Sequence, residues 1–219
     1  MKRKGALTVI VAVFVILGGG IGSYYWYQGA NYVSTEDARI AGDIYKVMPK
    51  ISAKILSLHV KEGDTVMADQ IIGQQDTSNL PNNQLNNASL LSPIQGVVIK
   101  MLFKEGEVAS PGQTVAMIID ESKLYVSANI EETDIHKVKL GQKVDIKVDA
   151  YPGVTLTGRV IEIGEATNST FSLIPSTNTS GTFNKVTQRI PIEVSIDSYE
   201  GLPIIAGMNT QIKIHLKGN

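Results

Sequence analysis

Three kinds of residue in this 219-residue chain could do covalent or metal chemistry: lysines at a repeated turn, three histidines, and a pair of adjacent acids. Lys61 and Lys104 each open a Lys-Glu-Gly turn followed by a further acid, Asp64 or Glu107. An exposed amine there could carry an acyl group, but a charged turn flanked by acids reads as solvated surface. His59, His136 and His215 fall in different segments without metal-ligand spacing, and they read as surface or edge histidines. Glu131 and Glu132 imitate an acid/base pair. Adjacent helix positions do not face one another, so they read as charges at a helix start. Cysteine is absent, which removes disulfides, zinc-thiolate sites, thiol nucleophiles and a lipid anchor on an N-terminal cysteine. No catalytic, cofactor-binding or metal-binding residue is assigned, no cofactor is expected, and the chain reads as a non-enzyme.

The turns belong to a longer stretch written twice. At a constant offset of 43 positions, Lys61, Glu62, Gly63 and Gln70 fall on Lys104, Glu105, Gly106 and Gln113, while Ile51, Ile55, Leu58 and Val60 fall on Ile94, Val98, Met101 and Phe103. Each copy reads as an apolar strand, a glycine turn and a second short strand. A lone two-stranded piece cannot bury its apolar face in water, so two copies packed face to face are expected, as a flattened sandwich of interlocked halves.

This doubled unit resembles the lipoyl (biotinyl-lipoyl) fold. The resemblance implies one of two uses: a carrier domain, with a lysine on the hairpin joining the halves, or the split lipoyl module of secretion adaptors. The joining segment, Thr77 to Leu91, contains no lysine, which favours the adaptor. Its five asparagines and one proline, without apolar heptads, read as a loop. The long coiled-coil hairpin inserted here in most of that family is therefore missing. That fits a bacterium with one membrane or an adaptor of shortened reach; an engineered deletion would look identical.

Met1-Lys-Arg-Lys4 is followed by a run without charge from Gly5 to Thr35. Its apolar part, with Ala6 to Tyr27 taken whole, is long enough for a membrane helix of about 20 residues. A cleaved signal peptide is the competing reading, because the small residues of Gly18 to Ser23 suit a peptidase. Tyr24, Tyr25, Trp26 and Tyr27 favour a retained anchor, since four aromatics stand where an interfacial belt belongs. The basic cluster places the N-terminus in the cytoplasm and the bulk of this single-pass chain outside. Formal net charge is −1, and setting aside the three leading basic residues makes the exported part more acidic still. That offers no footprint for nucleic acid.

Gly29 to Thr35 reads as a polar spacer, and Glu36 to Met48 as an extended segment leading into the first lipoyl half. Beyond Asp120, alternating runs at 123–130, 143–149, 156–163, 189–197 and 210–216 predict a small antiparallel barrel. A helical turn or two is expected at 131–138, and Pro191 marks an edge position. The organisation expected is a cytoplasmic tail (1–5), an anchor (6–27), a linker and leading strand (28–41), a lipoyl-like domain (42–122, halves 42–77 and 92–122) and a β-barrel domain (123–219). The fold class is thus mainly β, with one N-terminal transmembrane helix.

Two short motifs carry a family resemblance. Thr35-Glu-Asp-Ala38 resembles a Thr-Asp-Asp-Ala motif, and Phe171-Ser-Leu-Ile-Pro175 with Lys185-Val-Thr-Gln-Arg-Ile-Pro191 resembles a second signature. Both are features of the HlyD-type membrane fusion (periplasmic adaptor) family, in its EmrA-like multidrug-resistance branch. The resemblance implies an adaptor subunit of a multidrug efflux system, working with an inner-membrane transporter of the major facilitator superfamily and self-associating into a ring. Adaptors for ATP-driven peptide or bacteriocin secretion are the alternative, and a lipoyl or biotinyl carrier the second. Phe171, Leu173 and Ile174 are expected either to contact the transporter or to plug the barrel end, and Asp37 and Arg39 are the charges placed to meet it.

Overall fold

The computed structural model describes residues 2–78, 81–167, 170 and 187–216, of which 2–12 and 82–84 by backbone alone. In chain order the elements are α1 (Lys2–Asn31), β1 (Tyr32–Ala41), β2 (Ile44–Val47), β3 (Ala53–Leu58), β4 (Thr65–Val66), β5 (Ile71–Gln75), a 3₁₀ helix (Asn82–Ala88), β6 (Ser89–Leu91), β7 (Gly96–Met101), β8 (Val108–Ala109) and β9 (Ala116–Ile119). A second 3₁₀ helix (Glu121–Lys123), β10 (Tyr125–Glu131), α2 (Glu132–Ile135), β11 (Lys143–Val148), β12 (Leu156–Ile163), β13 (Arg189–Ser195) and β14 (Asn209–His215) follow. They form two units, residues 40–125 and residues 1–39 with 126–219.

The unit at 40–125 is the expected sandwich. Its two four-stranded sheets run β2-β9-β7-β4 and β6-β5-β3-β8, so each takes strands from both copies of the repeat. β4 of the first copy pairs with β7 of the second, and β8 of the second pairs with β3 of the first. The hydrogen bonds repeat at the same offset as the sequence. Ile55 N donates to Glu107 O at 2.8 Å and Val98 N to Asp64 O at 3.0 Å; Gly106 N donates to Ile55 O and Gly63 N to Val98 O, both at 2.8 Å. Gly63 and Gly106 have φ of 93° and 92°, a conformation that L side chains rarely adopt. Ile55, Ile72, Leu90, Val98 and Ile118 fill the space between the sheets. Gln75, buried with them, donates through Nε2 to Ala53 O and Ala109 O at 3.0 Å and so ties the copies together.

The joining segment is more ordered than its asparagines imply. Pro81, at φ −63°, precedes the seven-residue 3₁₀ helix, and such a preset angle suits a helix start.

The other unit holds a closed barrel in the order β1-β10-β13-β12-β11-β14. Its inward residues alternate as the sequence did: Val126, Ala128 and Ile130 on β10, Val144, Ile146 and Val148 on β11, Thr210, Ile212 and Ile214 on β14, all buried. Two expectations fail here. The spacer does not exist, because α1 continues through Asn31 and Tyr32-Val33-Ser34-Thr35 opens β1 directly after it, paired with β14, Tyr32 opposite His215 and Val33 opposite Ile214. In the sequence, small polar residues masked the β-branched and aromatic ones that suit a half-buried strand. Pro191 is not on an edge either, since β13 lies between β10 and β12 in a closed sheet. Its carbonyl still accepts from Gly164 N at 2.8 Å, beside a bulge in the β12–β13 ladder. The helical turn is present as α2.

Candidate functional site

A bulge in β1 brings together two of the motifs singled out in the sequence. Thr35 pairs with Ile212 and Ala38 with Thr210, so three steps along β1 match two along β14. Such a bulge bends the strand and re-aims its side chains. Thr35 Oγ1 accepts from Asp37 N at 3.1 Å, and Asp37 Oδ2 accepts from Arg189 Nη1 across the barrel wall. Both side chains are nearly half exposed. Gln188 O accepts from Glu132 N at 2.9 Å, which fixes α2 beside the start of β13. The resulting notch, about 190 Å³, is lined by Val33, Thr35, Ile130, Glu131, Asp134 and Arg189. Lys137 engages Asp134 at 2.6 Å. The notch is charged, carrying Glu131, Asp134 and Arg189.

The remaining site residues lie elsewhere. Arg39 is exposed opposite Asn209 of β14 and is not part of the Asp37 pair. Tyr24, Tyr25, Trp26 and Tyr27 are all exposed on α1, with Tyr24 and Tyr25 edge to face at 5.9 Å. Phe171, Leu173 and Ile174 lie outside the described residues. Among the described residues no helix is long and apolar enough to cross a membrane. The side chains of Ala6 to Ala12, which open the apolar run, also lie outside them. Among the described residues no cluster of three or more histidines and acids could hold a metal.

Sequence reasoning left Glu62 and Glu105 as solvated turn acids, and this needs correcting. Glu62 Oε1 accepts from Met101 N at 3.0 Å, and Glu105 Oε1 accepts from Leu58 N at 2.8 Å, each reaching the other copy of the repeat. The bond from Met101, followed by that from Lys100, holds the Glu62 carboxyl below its ordinary range. Between these clasps Leu58, Val60, Met101 and Phe103 line an apolar hollow. The equal offsets of Glu62 and Glu105 were the available signal. Arg189 was quoted within a motif but given no role, and its partner 152 residues away could not be read from spacing. His215 is also more engaged than an edge histidine: Nε2 lies 2.8 Å from Asp145 Oδ2, and its ring meets Tyr32 edge-on at 5.0 Å.

Comparison with known proteins follows the two units. Residues 43–121 match the RND MFP, barrel-sandwich hybrid domain, and residues 124–214 match the YknX-like beta-barrel domain. A putative efflux system component, YhbJ, of Bacillus subtilis is 38% identical over 209 residues, covering 95% of this chain and 91% of that protein. The colistin resistance protein EmrA of Acinetobacter baumannii is 39% identical over 140 residues, covering 64% of this chain but only 40% of its own length. Among solved structures, the membrane fusion protein Spr0693 from Streptococcus pneumoniae superposes with a TM-score of 0.62 at 13% identity, over 85% of this chain and 99% of that one, a likeness of fold.

Proposed function

This chain belongs to the membrane fusion protein family of efflux systems, and on that premise we propose that it is a membrane-anchored adaptor subunit of a multidrug efflux system. The observation that carries the reading is the match to an efflux component along nearly the whole of both chains. It acts by holding and shaping a complex, with no covalent step.

In this reading α1 is the anchor, with its N-terminus in the cytoplasm and both β units outside. Two things support it: Lys2, Arg3 and Lys4 precede the apolar run, and Phe14, Ile16, Leu17, Ile21 and Trp26 are exposed around the helix. The partner is an inner-membrane transporter of the major facilitator type, and the chains associate into a ring around the exit path. Asp37 and Arg39, with Phe171, Leu173 and Ile174, form the transporter contact. Support for the first comes from its pairing with Arg189, a residue that lines the notch. The short joining segment is a natural feature in this reading, because the Bacillus relative is matched over nine tenths of its length.

The test is drug accumulation in host cells lacking this chain. Accumulation of an efflux dye should rise and return to normal with the wild-type chain, but not with Phe171→Ser plus Leu173→Ser. Unchanged accumulation across a panel of drugs and dyes would reject the efflux role. A double variant that fails because its stability collapses would assign the segment to a barrel plug.

A further inference from the structure

The corner that follows α2 meets the notch only through Lys137, whose partner Asp134 lines it. His136, Lys137 and Lys139 line a hollow of about 460 Å³ with Gly29 and Ala30 of the last turn of α1 and with Leu216. Gln142, buried beneath, clamps the corner from both sides: Oε1 accepts from Lys139 N at 2.9 Å, and Nε2 donates to Lys137 O at 3.2 Å. Gly141, at φ 82°, turns the chain and donates to Val160 O. At the tip stands Leu140, 63% exposed. Lys137 is engaged by Asp134, whereas Lys139 is exposed and has no ion pair among the described residues. Glu131 and Glu132 do not line the hollow.

Its depth follows from the helix. Gly29 and Ala30 lie about 3 to 9 Å beyond the aromatics at 24–27, at about 1.5 Å per residue. The headgroup layer extends roughly 5 to 8 Å beyond the hydrocarbon on each side. Leu216 N donates to Asn31 O at 2.9 Å, so the barrel is joined to the helix end without a spacer. With α1 as the anchor, Lys137 and Lys139, which share the hollow with Gly29 and Ala30, would stand at headgroup level, with the exposed Leu140 next to them in the chain.

We propose that this corner docks onto anionic phospholipid, with Lys139 and Lys137 meeting headgroup phosphate and Leu140 entering the acyl boundary. The inference rests on the reading of α1 as an anchor. It gives the barrel a second hold on the membrane and fixes its rotation about the helix.

The chain has no cysteine, so Leu140→Cys offers a single position for an apolar fluorophore. The full-length labelled chain is placed in vesicles of phosphatidylcholine alone, or of equal parts phosphatidylcholine and phosphatidylglycerol, each with a lipid-borne quencher. Quenching should be stronger in the anionic vesicles and weaken with salt. Lys139→Gln should lower the docked-to-undocked ratio about fivefold, the worth of one lysine near an anionic surface, and Lys137→Gln by less. Equal quenching in both lipids, or indifference to Lys139→Gln, would overturn the inference. So would a probe shielded only in native membranes that hold the transporter, which would assign the corner to protein. Retention after carbonate washing of the same vesicles reports on the anchor separately: retention without lipid-selective quenching removes the inference and leaves the anchor, whereas release from the vesicles removes the anchor and with it the depth on which the inference rests.

Discussion

Arg189 and Asp37 illustrate how much a single contact can mean when stability does not explain it. A half-exposed ion pair contributes about 0.2 to 1 kcal/mol, too little to hold a barrel. Asp37→Ala and Arg189→Ala should each leave the melting temperature almost unchanged and yet reduce co-purification of the transporter. Exchanging the two charges should restore the pair's geometry without restoring a partner contact that reads Asp37; full recovery would limit the pair to shaping β1. Glu62 makes a different prediction. Its carboxyl is held below its ordinary value of 4.5, first by Met101 N and then by Lys100. The stabilisation is thus complete above that value and lost as pH falls through the depressed one. Glu62→Gln keeps an acceptor for Met101 N but removes the charge, so urea midpoints of variant and wild type should converge on the acid side and differ near neutrality. A constant difference at all pH values would show that charge is not what matters there.

At the scale of elements, interlocking of the repeat governs what a substitution does. Ile55 is fully buried on β3, in contact with a core drawn from both copies. Ile55→Ala should cost about 2 to 5 kcal/mol, and denaturant unfolding of the 40–125 unit should remain a single transition because neither copy owns a complete sheet. Two separate transitions would mean that the copies fold apart. The doubled strands were legible because the repeat preserves both apolar spacing and glycine turns, and the barrel because five of its runs alternate. The sixth strand was not, since Tyr32 to Thr35 adjoins an apolar helix and looks like its polar tail. Nor was strand order: alternation gives the faces of a strand but not its neighbours, which is why Pro191, on a strand flanked by β10 and β12, was misplaced at an edge. Distant side-chain contacts such as Arg189 with Asp37 depend on that neighbour order and share its obscurity.

For the whole molecule, the central claim is that this chain couples to a membrane transporter. Its most direct test is affinity purification of the full-length chain from gently solubilised membranes of its own host, with co-purifying proteins identified by mass spectrometry. An inner-membrane transporter in near-stoichiometric yield, on a chain of unmodified mass, is the expected result. Recovery of acyltransferase or dehydrogenase subunits, with lipoate or biotin added to the chain, would contradict the account.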